Sequence, residues 1–319
     1  MHGAPQRGDP DVMLVTGAAG YIGSHATKTA AERGEPVRAF VRPGTGSEEL
    51  AFLRSLGAEV AFGEAEDPEA VSRALAGCRA VVHCVGGIQP SRRGDFRSLH
   101  QGPAEALAQA AREAKPERIV LVSAVGVSPG AASAYHRTKA RAEEILREAF
   151  PQTAIVRPSL VYGRSGGLRD SKLMVRLTTY LRGGKTLPLA GGGLALVQPL
   201  FVGDLARSLV LSAAEGVAAG GLVELGGPER MTLLAWVERV AEVLGVRARI
   251  LPLPVSFALL AAALVERFVK EPPMTVDQVR VMGHNFIAPL EGVEANFGFA
   301  PLTPAEGLKL SYGAASERP

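Results

Sequence analysis

The sequence predicts an α/β fold, a doubly wound parallel sheet with a second, smaller and mostly helical lobe. In the first half of the chain, short apolar runs alternate with helical segments, and a glycine-rich turn follows the first run. This alternation is typical of βαβ units whose parallel sheet is buried on both faces. The alternation of apolar runs and helical segments ends after Gly163, which indicates that the second lobe begins there.

The elements of the first half follow from local patterns. The apolar run at 12–16 ends in the glycine turn, and the next helical pattern is closed by Gly34, a residue typical of helix C-termini. Because crossovers between parallel strands are right-handed, the topology is restricted to a doubly wound sheet. Strands are expected at 12–16, 36–42, 58–63, 79–87, 118–126 and 153–159, and helices at 21–33, 48–56, 68–75, 101–114 and 134–150.

The second half is divided between the two parts of the molecule. A basic helix at 170–182 and a glycine-rich loop come first, and a short return to the sheet follows. From Pro228 the chain is helical and interrupted by prolines. We expect a first domain at 11–164 completed by about 195–227, a second lobe formed by 165–194 and 228–319, and a disordered tail at 1–10.

Composition excludes several classes of partner and site. The 35 basic and 32 acidic residues are scattered, whereas nucleic-acid-binding proteins concentrate lysine and arginine, so we expect no nucleic-acid partner. Cys78 and Cys84 have neither metal-ligand spacing nor a disulfide framework, so we expect no metal site. The N-terminus lacks the apolar core of a signal peptide, and so few cysteines suit a reducing compartment, so a cytoplasmic protein is expected.

The segment 255–269 is very apolar, but Glu266 and Arg267 interrupt it. It is shorter than the roughly 20 residues that span a bilayer. We expect a buried or interfacial helix, which also offers a surface for peripheral membrane or protein contact. The chain is expected to be a monomer or a homodimer.

Three glycines define the turn between the first strand and the first helix. Gly17, Gly20 and Gly23 are spaced three apart in "VTGAAGYIGSH". Such a turn directs backbone N–H groups and the positive end of the helix toward one point, and glycine lets a phosphate come close. Because the pattern follows a strand and opens a helix within a βαβ unit, it predicts a Rossmann domain that binds a dinucleotide.

The end of the second predicted strand bears on which dinucleotide is bound. Sites for NAD usually carry an acid there for the ribose 2′-hydroxyl, whereas arginine suits a 2′-phosphate. This chain has "AFVRPG", with Arg42 at the tip and Arg38 in mid-strand as a weaker candidate. We therefore expect NADP(H) in preference to NAD(H).

A catalytic group is predicted at the start of the helix at 134–150. Tyr135 and Lys139 lie four residues apart in "YHRTK", so both project from one helix face, and Ser123 ends the preceding strand. An adjacent ammonium favours the phenolate of tyrosine, whose ordinary pKa is about 10. Tyr135 is expected to act as general acid or base, Lys139 to supply the charge and to bind the nicotinamide ribose, and Ser123 to orient a substrate oxygen.

In the order of these motifs the chain resembles the extended and atypical short-chain dehydrogenases/reductases, which are NAD-dependent epimerase/dehydratase-like proteins. The matching segments are "TGAAGYIGSH", "HCVGG", Ser123, "YHRTK" and "RPSLVYG". His100 stands where the family commonly has an asparagine. The resemblance implies that Gly17, Gly20, Tyr21, Ile22 and Gly23 line the pyrophosphate, Glu64 and Ala65 contact the adenine, Val85, Gly86 and Gly87 lie along the cofactor, and Pro158 and Ser159 lie near the nicotinamide.

The later segments "LPLAGGGLALVQPLFVGDLARSL", "ELGGPERMTLLAWVERV" and "PPMTVDQVRVM" are similar to those of the NAD(P)H-binding accessory subunit of respiratory complex I and its bacterial relatives. The first function hypothesis is an NADP(H)-dependent oxidoreductase that acts on an apolar, quinone-like or isoprenoid substrate. Its site is expected to be lined by Phe257, Leu259, Leu260 and Leu264.

Two alternatives stay open. A sugar-nucleotide epimerase or dehydratase is suggested by the first motif, but those enzymes retain NAD tightly and usually have an acid where Arg42 lies. A subunit or sensor that binds the nucleotide without turnover is the other alternative.

Overall fold

A computed structural model of the chain describes residues 12–88, 95–164, 170–269 and 274–313. The tail expected at 1–10 lies outside the described residues. The strands are β1 (Val12–Thr16), β2 (Val37–Val41), β3 (Glu59–Phe62), β4 (Cys78–His83), β5 (Arg118–Val122), β6 (Ala154–Pro158), β7 (Val161–Tyr162), β8 (Thr186–Ala190), β9 (Leu196–Val197), β10 (Leu200–Phe201), β11 (Leu222–Leu225), β12 (Met231–Thr232) and β13 (Arg249–Leu253). The helices are α1 (Tyr21–Glu32), α2 (Ser47–Ser55), α3 (Pro68–Leu75), α4 (Phe96–Ala114), α5 (Ala134–Ala149), α6 (Lys172–Arg182), α7 (Val202–Glu215), α8 (Leu233–Val243), α9 (Val255–Phe268), α10 (Val276–Met282), α11 (Gly292–Phe297) and α12 (Pro304–Tyr312).

A seven-stranded parallel sheet forms the centre of the fold, in the order β11-β6-β5-β4-β1-β2-β3. The chain runs outward from β1 in both directions, which confirms the predicted doubly wound Rossmann topology. Thr16 at the end of β1 is paired with His83 at the end of β4. The carboxyl ends of these two strands therefore meet at the switch point, where ligands of such sheets bind.

Side chains of β1 alternate between the two faces of the sheet, as the pleat requires. Met13 and Val15 pack with α1, α2 and α7 on one face, and Leu14 packs with α3, α4 and α5 on the other. All three side chains are fully buried. Helices thus cover both faces, which explains why the strands of this sheet are almost continuously apolar.

Helix α4 begins five residues earlier than the sequence analysis expected. Asp95 caps it, since its carboxylate accepts the backbone N–H of Ser98 at 2.9 Å, and Pro103 lies inside the helix. Gly102 followed by Pro103 is typical of a helix start, and this signal misplaced the predicted boundary. The earlier start brings His100 into the helix, on a face that is buried.

A second core forms where the second lobe meets 161–162 and 197–202 of the first domain, and this part of the molecule holds more strand than the sequence indicated. Tyr162 and Trp236 are fully buried and meet edge to face, with ring centroids 4.8 Å apart. Three two-stranded sheets, β7–β10, β8–β13 and β9–β12, accompany the helices. None of the described helices is both long enough and apolar enough to cross a bilayer.

Helix α9 exposes three of the four residues that are expected to line the substrate site. Its alanines Ala258 and Ala262 pack toward α10, whereas Phe257, Leu260 and Leu264 are each more than half exposed. Leu259, the fourth residue of the expected lining, is half-buried and packs with these alanines. An apolar sequence pattern identifies an apolar helix but not which of its sides is covered.

Candidate functional site

The glycine loop closes tightly over the carboxyl end of β1. Gly17 has a φ of +68°, and a methyl group there would come within 3.2 Å of the backbone of Cys84 and Val85. Gly23 lies in the first turn of α1, where any side chain would collide with the carbonyl of Gly17. The loop therefore leaves no room for side chains between β1, β4 and α1.

The first turn of α1 supplies the groups that a phosphate needs. Gly20 is the N-cap, and its N–H is bound to the carbonyl of Gly17 at 2.8 Å. The N–H groups of Tyr21, Ile22 and Gly23 have no acceptor within the helix, as in any first helical turn, and no acidic residue stands there. This cradle fits the pyrophosphate of a dinucleotide.

The side chain of Tyr21 takes no part in this cradle. Its hydroxyl donates to the carbonyl of Gly163 at 2.9 Å, which joins the first turn of α1 to the start of the second lobe. Burial raises the pKa of the Tyr21 phenol well above its ordinary value, so it stays a neutral donor.

Arg42 follows directly after β2, and its side chain is exposed. No described residue is bound to its guanidinium, whereas Arg38 is fully engaged: it donates to Glu59 at 2.8 Å and to the carbonyls of Ala74 and Ala76. Of the two arginines considered, only Arg42 is available for a ligand.

The residues expected near the adenine and along the cofactor lie at the same edge of the sheet. Glu64 and Ala65 follow β3, and Glu64 is exposed while Ala65 is half-buried. Val85, Gly86 and Gly87 follow β4.

Pro158 ends β6, and Ser159 follows it. The hydroxyl of Ser159 donates to the carbonyl of Phe286 at 2.6 Å, so this side chain is already engaged.

Tyr135 lies in the first turn of α5 against a group of aromatic rings. Its ring meets those of His100, Phe96 and His136 edge to face, with centroids 5.3, 6.0 and 5.0 Å apart. No described residue forms a hydrogen bond with its hydroxyl. Burial raises the pKa of the phenol well above its ordinary value, so Tyr135 is a neutral acid in this structure and not a phenolate.

Lys139 lies one turn further along α5 and is almost fully buried. Its ammonium donates to the carbonyl of Val122 at 2.8 Å. A methyl group on Gly86 would come within 3.3 Å of both Lys139 Nζ and the His100 ring, so these two side chains flank the same glycine. Burial lowers the pKa of Lys139 to about 8, partly opposed by the carboxylate of Glu143.

The expected lowering of the phenol pKa by Lys139 is not what the structure gives. The charge of Lys139 acts on other groups instead, since it adds to burial in lowering the pKa of His100 to about 2 and that of His83 to about 3. The Lys139 ammonium thus lies near His83 at the end of β4, Val122 at the end of β5 and His100 near the start of α4.

His100 is held in one orientation by two hydrogen bonds. Gly87 N–H donates to Nε2 at 3.5 Å, so the ring proton lies on Nδ1, which donates to the hydroxyl of Thr138 at 2.8 Å. Thr138 in turn donates to the carbonyl of Ala134 at 2.9 Å. The low pKa keeps the ring neutral, with the lone pair of Nε2 directed toward Gly87.

The hydroxyl of Ser123 is engaged by a buried carboxylate. This hydroxyl donates to Glu143 Oε1, and the same carboxylate accepts two hydrogen bonds from Arg157, at 2.9 and 2.7 Å. Glu143 and Ser123 are buried. The structure therefore brings Tyr135 and Lys139 together with His100, while the Ser123 hydroxyl belongs to a buried ion pair.

The sequence analysis did not single out Glu143, Arg157 or Asp277. A charged residue within an apolar strand, and a glutamate four residues after Lys139, are signals that could have indicated the Glu143–Arg157 pair. Asp277 of α10 accepts the N–H groups of Ala134 and Tyr135 at 2.7 and 3.4 Å. It lies 142 residues after Tyr135, and no local pattern could have indicated this contact.

Comparison with known proteins agrees with this geometry. An NAD(P)H-binding family model matches residues 17–173. The ceramide reductase of Caulobacter vibrioides is 31% identical over 257 residues, which cover 80% of this chain and 77% of that protein. The mitochondrial NADH dehydrogenase (ubiquinone) 1 alpha subcomplex subunit 9 of Arabidopsis thaliana is 27% identical over 277 residues, covering 85% of this chain and 67% of the relative.

Solved structures share the fold over nearly the whole chain. The UDP-glucuronic acid 4-epimerase of Bacillus cereus, solved in complex with NAD, superposes with a TM-score of 0.70 at 20% identity, covering 94% of this chain and 95% of that one. The chain therefore belongs to the same NAD(P)H-binding family as the Caulobacter reductase, and it shares the Rossmann fold of enzymes of the short-chain dehydrogenase/reductase type.

Proposed function

We propose that this protein is an NADP(H)-dependent oxidoreductase that reduces the carbonyl group of an apolar substrate. The proposal is carried by one arrangement at the carboxyl end of β4, beside the glycine loop. Lys139 and His100 flank Gly86, and the ring of Tyr135 packs against that of His100. When bound, the nicotinamide supplies the hydride. The chain's own residues hold the substrate and supply the proton.

Tyr135 is assigned the role of proton donor. Its phenol is neutral because burial raises its pKa, which suits transfer of a proton from Oη to a carbonyl oxygen as the carbonyl carbon is reduced. The product is an alcohol, and the phenolate left behind regains its proton from solvent.

Lys139 is assigned the role of stabilising the phenolate that forms transiently. It lies one helical turn further along α5 than Tyr135. Its charge acts on His83 and His100 in this structure, and the proposal assigns it to the phenolate only during turnover, since a nearby ammonium favours the ionised form of a phenol. Its pKa of about 8 keeps most of the side chain protonated at pH 7. His100, which replaces the asparagine of the wider family, presents a neutral acceptor beside the ammonium.

The preference for NADP(H) rests on Arg42. Its exposed guanidinium follows β2, at the position where an arginine suits a 2′-phosphate, and no described residue engages it. The exposed Glu64 lies beyond β3, one strand further from the glycine loop.

An apolar substrate is supported by the surroundings of Tyr135 and by one relative. The rings of Phe96 and Phe286 adjoin Tyr135 and His136, which makes the approach to the phenol largely aromatic. The relative at 31% identity is named for the reduction of ceramide, a lipid. We infer a lipid-like or quinone-like carbonyl compound as the substrate class.

The test is to identify the nucleotide released by denaturing the purified protein, and then to titrate NADPH and NADH. Oxidation of NADPH is next followed with long-chain ketones and a short-chain quinone, for the wild type and Tyr135→Phe. We expect tighter binding of NADPH and turnover that Tyr135→Phe lowers by at least about 100-fold, with nucleotide binding unchanged. Full activity in Tyr135→Phe would refute the assignment.

A subunit that holds the nucleotide without turnover is the second candidate. Its support is the likeness to complex I alpha subcomplex subunit 9 and the engagement of Ser123 by Glu143. Tight NADPH binding without turnover of any carbonyl compound would favour this function. Bound NAD⁺ with turnover of a UDP-sugar would instead favour an epimerase.

A further inference from the structure

Helix α9 exposes its largest apolar side chains. Phe257, Leu260, Leu264 and Phe268 are exposed by 56, 59, 54 and 79%. At 3.6 residues per turn these four positions fall on one side of the helix. We call this surface the α9 stripe.

The opposite side of α9 is attached to the protein by small residues. Ala258 and Ala262 are 8 and 6% exposed and pack with Val279 of α10. A helix on the surface of a globular protein ordinarily turns its large apolar residues inward. The described part of the chain leaves the α9 stripe exposed, so this surface is open to a partner outside the lobe.

The charges around the α9 stripe are arranged for an anionic partner. Arg267 lies in the last turn of α9 and borders the stripe, whereas Glu266 falls on the opposite side, where its carboxylate accepts the N–H of Val276 at 2.9 Å. On β13, which leads into α9, Arg249 and Leu251 are both exposed and share one side of the strand. Exposed arginines thus stand in the last turn of α9 and on the strand that precedes this helix.

We propose that the α9 stripe docks on the surface of a membrane that contains anionic phospholipids. Apolar side chains then enter the boundary between headgroups and acyl chains, while Arg249 and Arg267 contact phosphate groups. A phospholipid surface accounts for both the apolar stripe and the flanking arginines.

The docked helix lies close to the catalytic group. Helix α10, which packs on α9, also supplies Asp277 to the first turn of α5 beside Tyr135. An enzyme that reduces a lipid-like substrate would in this way meet its substrate at the membrane surface. This last point rests on the proposed function, whereas the docking itself does not.

The test is flotation of the full chain with vesicles of phosphatidylcholine alone and of phosphatidylcholine mixed with phosphatidylglycerol. Leu264→Asp removes one member of the stripe, and Leu310→Asp on α12 is the matched control, since the two leucines are 54 and 55% exposed. Arg267→Gln is compared with Arg54→Gln, because both arginines stand in the last turn of a surface helix.

We expect the wild type to bind the anionic vesicles and to bind neutral vesicles much less. Leu264→Asp should lower the partition coefficient by at least about tenfold, because burial of a leucine is lost. Arg267→Gln should lower it by about fivefold. Leu310→Asp and Arg54→Gln should bind like the wild type, and circular dichroism checks that all variants fold.

Three results would overturn the proposal. One is wild-type protein that binds neither kind of vesicle. Another is equal loss of binding in Leu264→Asp and Leu310→Asp. The third is a wild-type protein that binds no vesicles but forms a dimer in sedimentation velocity, which Leu264→Asp dissociates. The stripe would then join two copies of the chain. Since none of these measurements uses catalytic activity, failure of the oxidoreductase assignment is distinguishable from failure of the docking.

Discussion

Replacement of Lys139 by methionine is expected to stabilise the protein while it abolishes turnover. Methionine keeps most of the length and volume of the side chain but carries no charge. In the folded protein the ammonium is buried, and burial lowers its pKa from 10.5 to about 8. In the unfolded chain the ammonium is hydrated and its charge carries no desolvation cost, so the charge of Lys139 destabilises the folded state.

The size of the effect follows from the pKa. A fall from 10.5 to about 8 corresponds to roughly 3 kcal/mol of lost stability at pH 7. The substitution also removes the hydrogen bond from Nζ to the carbonyl of Val122, which offsets about 1 kcal/mol. Lys139→Met should therefore raise the free energy of unfolding at pH 7 by about 2 kcal/mol.

The pH dependence has a definite sign. Below pH 8 both states hold the proton, and the full cost is present. Between pH 8 and 10.5 the unfolded lysine keeps a proton that the folded one has lost, so the stability of the wild type rises with pH relative to the variant. By about pH 9.5 the advantage of Lys139→Met should have fallen by about 2 kcal/mol.

The assay is urea denaturation without added nucleotide, at pH 7 and at about pH 9.5, together with turnover of NADPH. Lys309→Met, on an exposed position of α12, is the control and should change stability little at either pH. If Lys139→Met were less stable than the wild type at pH 7, or if its advantage did not depend on pH, the buried ammonium would not carry the cost assigned to it.

Three further substitutions test separate parts of the site. Arg42→Gln should raise the Kd for NADPH by about tenfold or more in a fluorescence titration and leave the Kd for NADH unchanged. An equal effect on both Kd values would show that Arg42 does not bind the 2′-phosphate. Ser123→Ala should lower the free energy of unfolding by about 1 kcal/mol with kcat unchanged, because its hydroxyl serves Glu143, and a large fall in kcat would restore its expected role on the substrate. Asp277→Ala should lower the free energy of unfolding by about 1 kcal/mol and should also lower kcat. Asp67→Ala removes the cap of α3 and should lower the free energy of unfolding alone. Equal kcat values in the two variants would contradict a positioning role for Asp277.

The sheet could be predicted because each strand from β1 to β6 carries its own signal. Strands buried on both faces are short continuous apolar runs, and helices between them have the lengths that crossovers require. The short strands around the second core carry no such signal, since β7, β9, β10 and β12 have two residues each and pair with distant segments. These strands form only through tertiary contacts, and such contacts cannot be predicted from the local sequence.

Part of the candidate site could likewise be predicted from local sequence, and part could not. Tyr135 and Lys139 lie within one helical turn, so their proximity follows from spacing alone. The environment that sets their pKa values does not, because burial depends on how α4, α5 and β4 pack. The expected phenolate became a neutral phenol for this reason, and the partner of Ser123 was found only once β6 carried Arg157 next to α5.

The contact between Asp277 and the first turn of α5 sets an order of events during synthesis. The carboxylate is added 142 residues after Tyr135, which at the usual pace of translation is roughly 7 to 28 seconds later. By then the glycine loop and strands β1 to β6 have left the ribosome and can assemble. A nascent chain therefore possesses its nucleotide cradle before the group that fixes the N-terminus of its catalytic helix has been made.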